Sequence, residues 1–174
     1  MKKKLRWILA CVLLAVVLAV VACSIWTRRA IDVSSHVVST STPLSLAQAR
    51  QKNCPIDLPN GADNVCFAAY SEWLAFEVYV KFDAPLDICK CHAIQLLKKH
   101  NEKVPDRAVP LELRILKAPL YPIKPGPPLN IRWFDLDAIK HGFFAGGEGP
   151  NSGAHQPFIW IDSDGNTFYY LCTD

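Results

Sequence analysis

Apolar residues form one long run near the start of the chain and shorter patterned groups after it. The long run covers twenty residues, from Trp7 to Trp26, and Ser24 is the only polar residue within it. A helix of this length spans about 30 Å, the thickness of the hydrocarbon core of a bilayer. The run therefore predicts a membrane-spanning or membrane-targeting segment.

Basic residues flank this run and give it an orientation. Four precede it and two follow it: Lys2, Lys3, Lys4 and Arg6, then Arg28 and Arg29. The positive-inside rule keeps the more basic end of such a segment in the cytoplasm. We therefore expect residues 1–29 to be a membrane anchor or signal segment, with a cytoplasmic N-terminus and with everything beyond residue 29 on the outer side.

The sequence leaves three fates open for this segment. Its length and the arginine pair that follows it favour a retained single-pass anchor. A cleaved signal usually has an apolar region of about 7–15 residues, although Val20 and Ala22 are small residues that suit a cleavage site. Val20-Val21-Ala22-Cys23 also resembles the lipobox of bacterial lipoproteins, which makes Cys23 a candidate for lipidation.

Residues 30–52 are rich in serine and threonine and show little apolar periodicity. This composition is typical of a linker, with one helical turn expected near 45–52. We therefore predict a flexible tether over 30–52 and an extracytoplasmic domain over 53–174, which has the size of one domain.

The main elements of that domain follow from alternating and helical patterns. Residues 64–70 are β-prone, and residues 76–82 alternate as a half-buried strand does. Pro85 suits the first turn of a helix, which we place over 85–100. One face of this helix is largely apolar and collects Leu86, Cys89, Ala93, Leu96, Leu97 and His100. The opposite face carries Asp87, Cys91, Gln95 and Lys98.

The second half of the domain is less regular. Residues 111–115 alternate as a short strand, and Asp135 suits the N-cap of a short helix that ends at Gly142. Residues 158–162 and 167–171 flank a turn and predict a C-terminal β-hairpin. The predicted fold is α+β, with an N-terminal transmembrane helix, a small antiparallel sheet of four or five strands, and one main packed helix.

The net charge is +3 for the whole chain and becomes negative when residues 1–29 are left out. Of the 19 Lys and Arg residues, six lie in residues 1–29, where none of the 16 acidic residues lies. The remainder has 13 basic and 16 acidic residues, a net charge of −3. Basic residues are scattered across it, which argues against nucleic acid as a partner.

Five of the seven cysteines lie beyond the first segment. An oxidising compartment favours disulfide bonds between them, and the candidates are Cys54, Cys66, Cys91 and Cys172. We expect Cys54 and Cys66 to pair with each other, because both border the first strand. Five is an odd number, so at least one thiol stays free or pairs outside the chain.

Two clusters of side chains suggest chemistry. Cys89 and Cys91 are two residues apart, and such positions on a helix point about 200° apart, so we predict no metal site and no cofactor. The second cluster surrounds the glycine-rich loop and supplies His141, Glu148 and His155 as candidates for acid–base catalysis. Helix capping and solvated surface positions explain the same residues, so we predict no catalytic site and keep a small hydrolase as the alternative.

Aromatic residues are numerous for a small domain and suit a binding surface. They include Tyr70, Trp73, Tyr79, Tyr121, Trp133 and Trp160. A core beneath the helix accounts for many of the aromatic and aliphatic residues and is the favoured interpretation. The expected members of that core are Phe76, Val78, Val80, Phe82, Phe158, Trp160 and Phe168.

Several short motifs, taken together, resemble small uncharacterised bacterial envelope proteins that are anchored in the membrane or lipidated. These motifs are Leu58-Pro59 with Ala62 and Asn64-Val65, then Phe82-Asp83-Ala84-Pro85, Trp133-Phe134-Asp135, Gly142, Trp160-Ile161-Asp162 and Phe168-Tyr169-Tyr170. The resemblance covers roughly residues 58–174 and implies a location and a fold without an activity. We therefore expect a non-enzymatic binding or structural module of the cell envelope, anchored in the cell membrane, with a protein or peptide as partner.

Overall fold

The computed structural model of the chain describes Val17, Val20, Val21, Ser24 and residues 36–72, 75–103, 111–116, 131–146 and 156–173. The chain divides into two compact units, residues 1–35 and residues 36–174. The predicted anchor lies outside the described residues except for those four positions. No helix within the described residues combines the length and the apolar character needed to cross a membrane.

The second unit contains one antiparallel sheet. Its described strands, seven in number, are β1 His36–Ser39, β2 Asp63–Glu72, β3 Ala75–Asp83, β4 Arg114–Ile115, β5 Gly142–Ala145, β6 Gln156–Asp162 and β7 Thr167–Thr173. Their order across the sheet is β1-β2-β3-β7-β6-β5-β4, so β1 and β4 form the two edges. The predicted α+β class and the C-terminal hairpin of β6 and β7 are confirmed.

Two helices accompany the sheet. The short helix α1, Leu46–Gln51, begins at Ser45, whose hydroxyl accepts from the backbone N–H of Gln48 while the Gln48 side chain accepts from the N–H of Ser45. This capping box satisfies two N–H groups that the first helical turn leaves unpaired. The long helix α2, Leu86–Lys103, packs against β6 and β7. Its predicted faces are confirmed, because Cys89, Ala93 and Leu97 are buried.

The main core lies between α2 and one face of the sheet. It contains Val80 and Phe82 from β3, Ile159 and Ile161 from β6, and Phe168 from β7. The rings of Phe82 and Phe168 stack with their centroids 4.6 Å apart. Alternate positions on three neighbouring strands therefore bury their apolar side chains under the helix.

The opposite face of the sheet is also covered, by residues 131–139. Trp160 and Tyr79 are both 2% exposed and lie on this face with Phe134 from the covering segment. The prediction that Phe158 and Trp160 belong to the core under the helix is therefore wrong. Both alternate with Ile159 and Ile161 along β6, so they point to the other side.

The sheet has more than the predicted four or five strands. The two additional strands are β1 and β5, which lie in segments predicted as a tether and as the end of a short helix. The predicted tether 30–52 contains β1 and α1, and β1 pairs with β2 so that Val37 lies opposite Tyr70. The predicted helix between Asp135 and Gly142 is absent from the described residues: the Asp135 carboxylate accepts from the N–H of Asp137 in a local turn. Gly142 begins β5, where a Cβ would collide with the carbonyl oxygen of Ile161.

Candidate functional site

The outer edge formed by β1 exposes two consecutive apolar residues of the described domain. Val37 is 51% exposed and Val38 is 50% exposed, although both belong to the sheet. Val37 lies opposite Tyr70 and Val38 lies opposite Ala69, so the two valines point to different faces. An edge strand with an exposed valine on each face presents an apolar rim on both sides of the sheet.

The hydrogen bonds of β1 show which backbone groups face outward. The N–H of Thr40 donates to the carbonyl oxygen of Phe67 at 2.9 Å. Hydrogen-bonded and non-hydrogen-bonded pairs alternate along an antiparallel ladder, and the register places Val38 opposite Ala69 as the next bonded pair. The N–H and C=O groups of Val37 and Ser39 consequently point away from β2, toward the open edge.

Edge strands are protected from pairing by shortness, charged side chains, proline and bulges. β1 is short, but its four residues contain neither a proline nor a Lys, Arg, Asp or Glu. The opposite edge strand, β4, has only two residues, the exposed Arg114 and the exposed Ile115. The two edges therefore differ in length and charge, and β1 offers the longer, uncharged edge to another strand.

The aromatic residues that suggested a binding surface lie mainly inside the domain. Phe134 packs edge-to-face on Tyr79, Tyr169 and Trp160, with centroid distances of 5.1, 5.5 and 6.2 Å. Trp133 is partly buried, and its Nε1 donates to the carbonyl oxygen of Thr40 at 3.2 Å. Trp73 and Tyr121 lie outside the described residues. The segment 131–139 thus occupies the face that a flat aromatic binding patch would need.

The three residues of the hydrolase alternative are not brought together within the described part of the chain. His141 is exposed, and its Nδ1 lies 2.9 Å from Oδ2 of Asp164 in the β6–β7 turn. Glu148 and His155 lie outside the described residues, so the alternative stays a prediction. The pairing of His141 with Asp164 was not predicted, because only the pairing of β5 with β6, with Gly142 opposite Asp162, brings these residues 23 positions apart into contact.

A shallow groove of about 280 Å³ beside α2 is lined in part by Cys91 and His92. Cys91 is exposed, whereas His92 is 6% exposed, with its ring 5.8 Å from that of Phe82. Burial lowers the pKa of His92 to about 4, against a weaker opposing effect of Asp57. His92 is therefore a neutral core residue near neutral pH. The described residues hold no group of three or more potential metal ligands.

Of the five cysteines of the domain, Cys89 and Cys91 share α2, and Cys66 and Cys172 lie on β2 and β7. None of them belongs to a disulfide bond in the structure, so bonds involving Cys54, Cys66, Cys91 and Cys172 stay predictions. Burial raises the pKa of the Cys54 thiol to about 11 and that of the Cys89 thiol to about 12. Because the thiolate is the nucleophilic form, the half-buried Cys54 and the buried Cys89 are weak nucleophiles near neutral pH.

No family model, no curated protein and no solved structure matches the chain. The resemblance to small envelope proteins consequently stays a prediction from the motifs quoted above.

Sequence reasoning missed the two residues that define the open edge. Val37 and Val38 were assigned to the tether because serines surround them and four residues are too few to show a period. The available signal was the β-branched pair itself, since valine favours strands.

Proposed function

We propose that this protein is a non-enzymatic, membrane-tethered binding module whose partner adds an extended strand to β1 outside the cytoplasm. The observation that carries the proposal is the open edge, with its outward-facing backbone groups at Val37 and Ser39 and its half-exposed valines. Strand addition obtains affinity from backbone hydrogen bonds and specificity from the side chains that alternate along the added strand. Val37 and Val38 supply one apolar contact on each face.

The location is supported by the sequence of residues 1–29. The twenty-residue apolar run and the basic residues on its flanks favour a retained anchor with the domain outside, and the lipid-anchored form at Cys23 is the alternative. The intact mass of the protein extracted from membranes separates these forms. A full-length mass supports the anchor, whereas a mass that begins at a lipid-bearing Cys23 replaces it with a lipoprotein.

Site-specific photo-crosslinking in cells that express the full chain tests the binding role. We expect a photoreactive residue at Val38 to give a discrete adduct, and the same residue at Ile94 to give none. Ile94 is a matched control because it is 57% exposed, apolar and on the outer face of α2. Equal labelling at the two positions, or no adduct at Val38, contradicts strand addition at β1.

A backbone variant sharpens this test. Val37→Pro removes an N–H that faces the open edge and leaves the bonds between β1 and β2 in place, and proline is tolerated on the outer side of edge strands. We expect Val37→Pro to reduce the adduct formed at Val38 several-fold while the melting temperature stays close to that of the parent. An unchanged adduct would show that the backbone of β1 is not what the partner binds.

A further inference from the structure

We infer that the strand added to β1 is the β1 strand of a second copy of this chain, paired antiparallel about a two-fold axis centred on Val38. This inference rests on the proposed function, because it names the partner of the same edge. The two sheets of seven described strands would join into one continuous sheet.

Symmetry restricts the register of such a pair. A two-fold axis that relates two neighbouring antiparallel strands is perpendicular to the sheet, and it keeps each side chain on the same face. Residues directly opposite each other in a ladder also point to the same face. Their positions along the strand therefore differ by an even number. The residue midway between them lies on the axis, opposite its own copy. Within β1 this residue is Val37, Val38 or Ser39.

The outward-facing backbone groups select Val38 from these three. With Val38 at the centre, Val37 of each copy lies opposite Ser39 of the other, and both residues direct their N–H and C=O groups to the open edge. Two hydrogen-bonded pairs form, with four backbone hydrogen bonds. A centre at Val37 or Ser39 pairs that residue with its own copy and makes only two such bonds within the four residues of β1.

The side chains agree with this register. Val38 meets Val38 of the second copy as a non-hydrogen-bonded pair, in which the Cα atoms approach to about 4.5 Å and the side chains are closest. No acidic residue, lysine or arginine lies in β1, so the two-fold axis brings no like charges together. On the other edge, a two-fold axis at β4 would place two exposed copies of Arg114 near each other.

The chain that precedes β1 favours a second copy over a freely diffusing peptide. Nine residues, 27–35, separate the apolar run from β1 and reach at most about 30 Å. Under the proposed function, anchored copies therefore share one membrane surface, to which their β1 strands stay tethered. A pair of four-residue strands buries far less than the ~1,200–2,000 Å² of a stable soluble interface, so pairing depends on the high effective concentration that a shared membrane provides.

Disulfide trapping of the full chain in native membranes tests the register. In a background with Cys91→Ser, which removes the exposed native thiol, we expect Val38→Cys to form disulfide-linked dimers on mild oxidation. Ile115→Cys is the matched control, because Ile115 is an exposed apolar residue on the opposite edge strand. We expect it to form several-fold less dimer. Co-expressed Val37→Cys and Ser39→Cys copies should form a mixed dimer more readily than Val37→Cys alone.

Three results would overturn the inference. The first is an equal yield of disulfide-linked dimer for Val38→Cys and Ile115→Cys. The second is a yield of mixed dimer between co-expressed Val38→Cys and Ile115→Cys copies that exceeds the yield of the Val38→Cys dimer. The third is a higher dimer yield for Val37→Cys alone than for Val37→Cys co-expressed with Ser39→Cys. The melting temperature of each variant, compared with the parent, identifies any variant that fails to fold, and Ser39→Cys paired with Val37→Cys then carries the test. A photo-adduct at Val38 with a different protein would leave the proposed function standing and refute self-pairing, whereas no adduct at all would refute both.

Discussion

The indole Nε1 of Trp133 donates a hydrogen bond to the backbone carbonyl oxygen of Thr40 at 3.2 Å. This bond joins the segment 131–139, which covers one face of the sheet, to the residue that follows edge strand β1. Thr40 also bonds to Phe67 on β2 through its N–H and its hydroxyl oxygen. One residue therefore holds the end of β1 against the sheet and against the covering segment.

We predict that Trp133→Phe loosens the end of β1. The substitution keeps an aromatic ring and removes one hydrogen bond, so the expected loss of unfolding free energy is about 1 kcal/mol. Native-state hydrogen exchange should show faster exchange of the Thr40 and Phe67 amides, with the amide of Ala93 in α2 as an internal control. Equal acceleration at Ala93, or none at Thr40, would argue against this role.

The aromatic cluster under the covering segment gives a second prediction. Phe134 contacts three buried aromatic rings, so Phe134→Ala leaves a cavity and removes edge-to-face contacts. We expect a loss of about 3–5 kcal/mol in the free energy of unfolding, measured with denaturant. Ile94→Ala, at an exposed apolar position on α2, should change it by less than about 0.5 kcal/mol. Similar losses for the two variants would show that 131–139 does not seal the sheet.

An element could be predicted from the sequence where its two faces differ strongly in the polarity of their side chains. Helix α2 was predicted because its buried Cys89, Ala93 and Leu97 recur at helical spacing and polar residues fill the other face. Strand β1 was missed because it pairs on one side only and leaves Val37 and Val38 half exposed. An edge strand of four residues provides no periodic signal.

The second covered face could not be read from the strands themselves. Tyr79 alternates with Val78 and Val80 and looks like a solvent-facing residue in the sequence, yet residues 131–139 bury it. Only the path of a segment more than fifty residues later decides this, and that path follows no local pattern. The same limitation applies to His141 and Asp164, which meet through the pairing of β5 with β6.

Asp83 supports a third prediction, about the junction of β2, β3 and β7. Its two carboxylate oxygens accept from the Thr167 hydroxyl at 2.9 Å and from the Asn64 amide at 3.0 Å. Hydrogen bonds to a charged group contribute about 1.5–3 kcal/mol, so Asp83→Ala should lower the free energy of unfolding by about 2–3 kcal/mol. Asp137→Ala, at an exposed position, is the control and should have little effect.

A double-mutant cycle assigns this loss to the Thr167 contact. We expect Asp83→Ala and Thr167→Val to be coupled by about 1 kcal/mol or more, because each removes one partner of the same hydrogen bond. Additive losses would mean that the carboxylate of Asp83 acts through Asn64 or through the backbone instead.

Burial of His92 predicts the pH dependence of stability. The folded protein holds the pKa of His92 at about 4, below its ordinary value of 6.5. Between these two values the unfolded chain takes up a proton and the folded chain does not. The stabilisation is therefore complete above about pH 6.5 and is lost as the pH falls toward 4, with a total of about 3 kcal/mol.

His92→Phe tests this effect because it keeps an aromatic ring beside Phe82 and Phe168 and cannot take up a proton. Nε2 of His92 has no hydrogen-bond partner within the described residues, so the substitution breaks no bond at that atom. We expect denaturant unfolding of His92→Phe to lose less stability between pH 6.5 and 4 than the parent does, by about 3 kcal/mol. Cys91→Ser, at the exposed neighbouring position, should follow the parent. Parallel curves for His92→Phe and the parent would mean that the ring of His92 takes up its proton without unfolding.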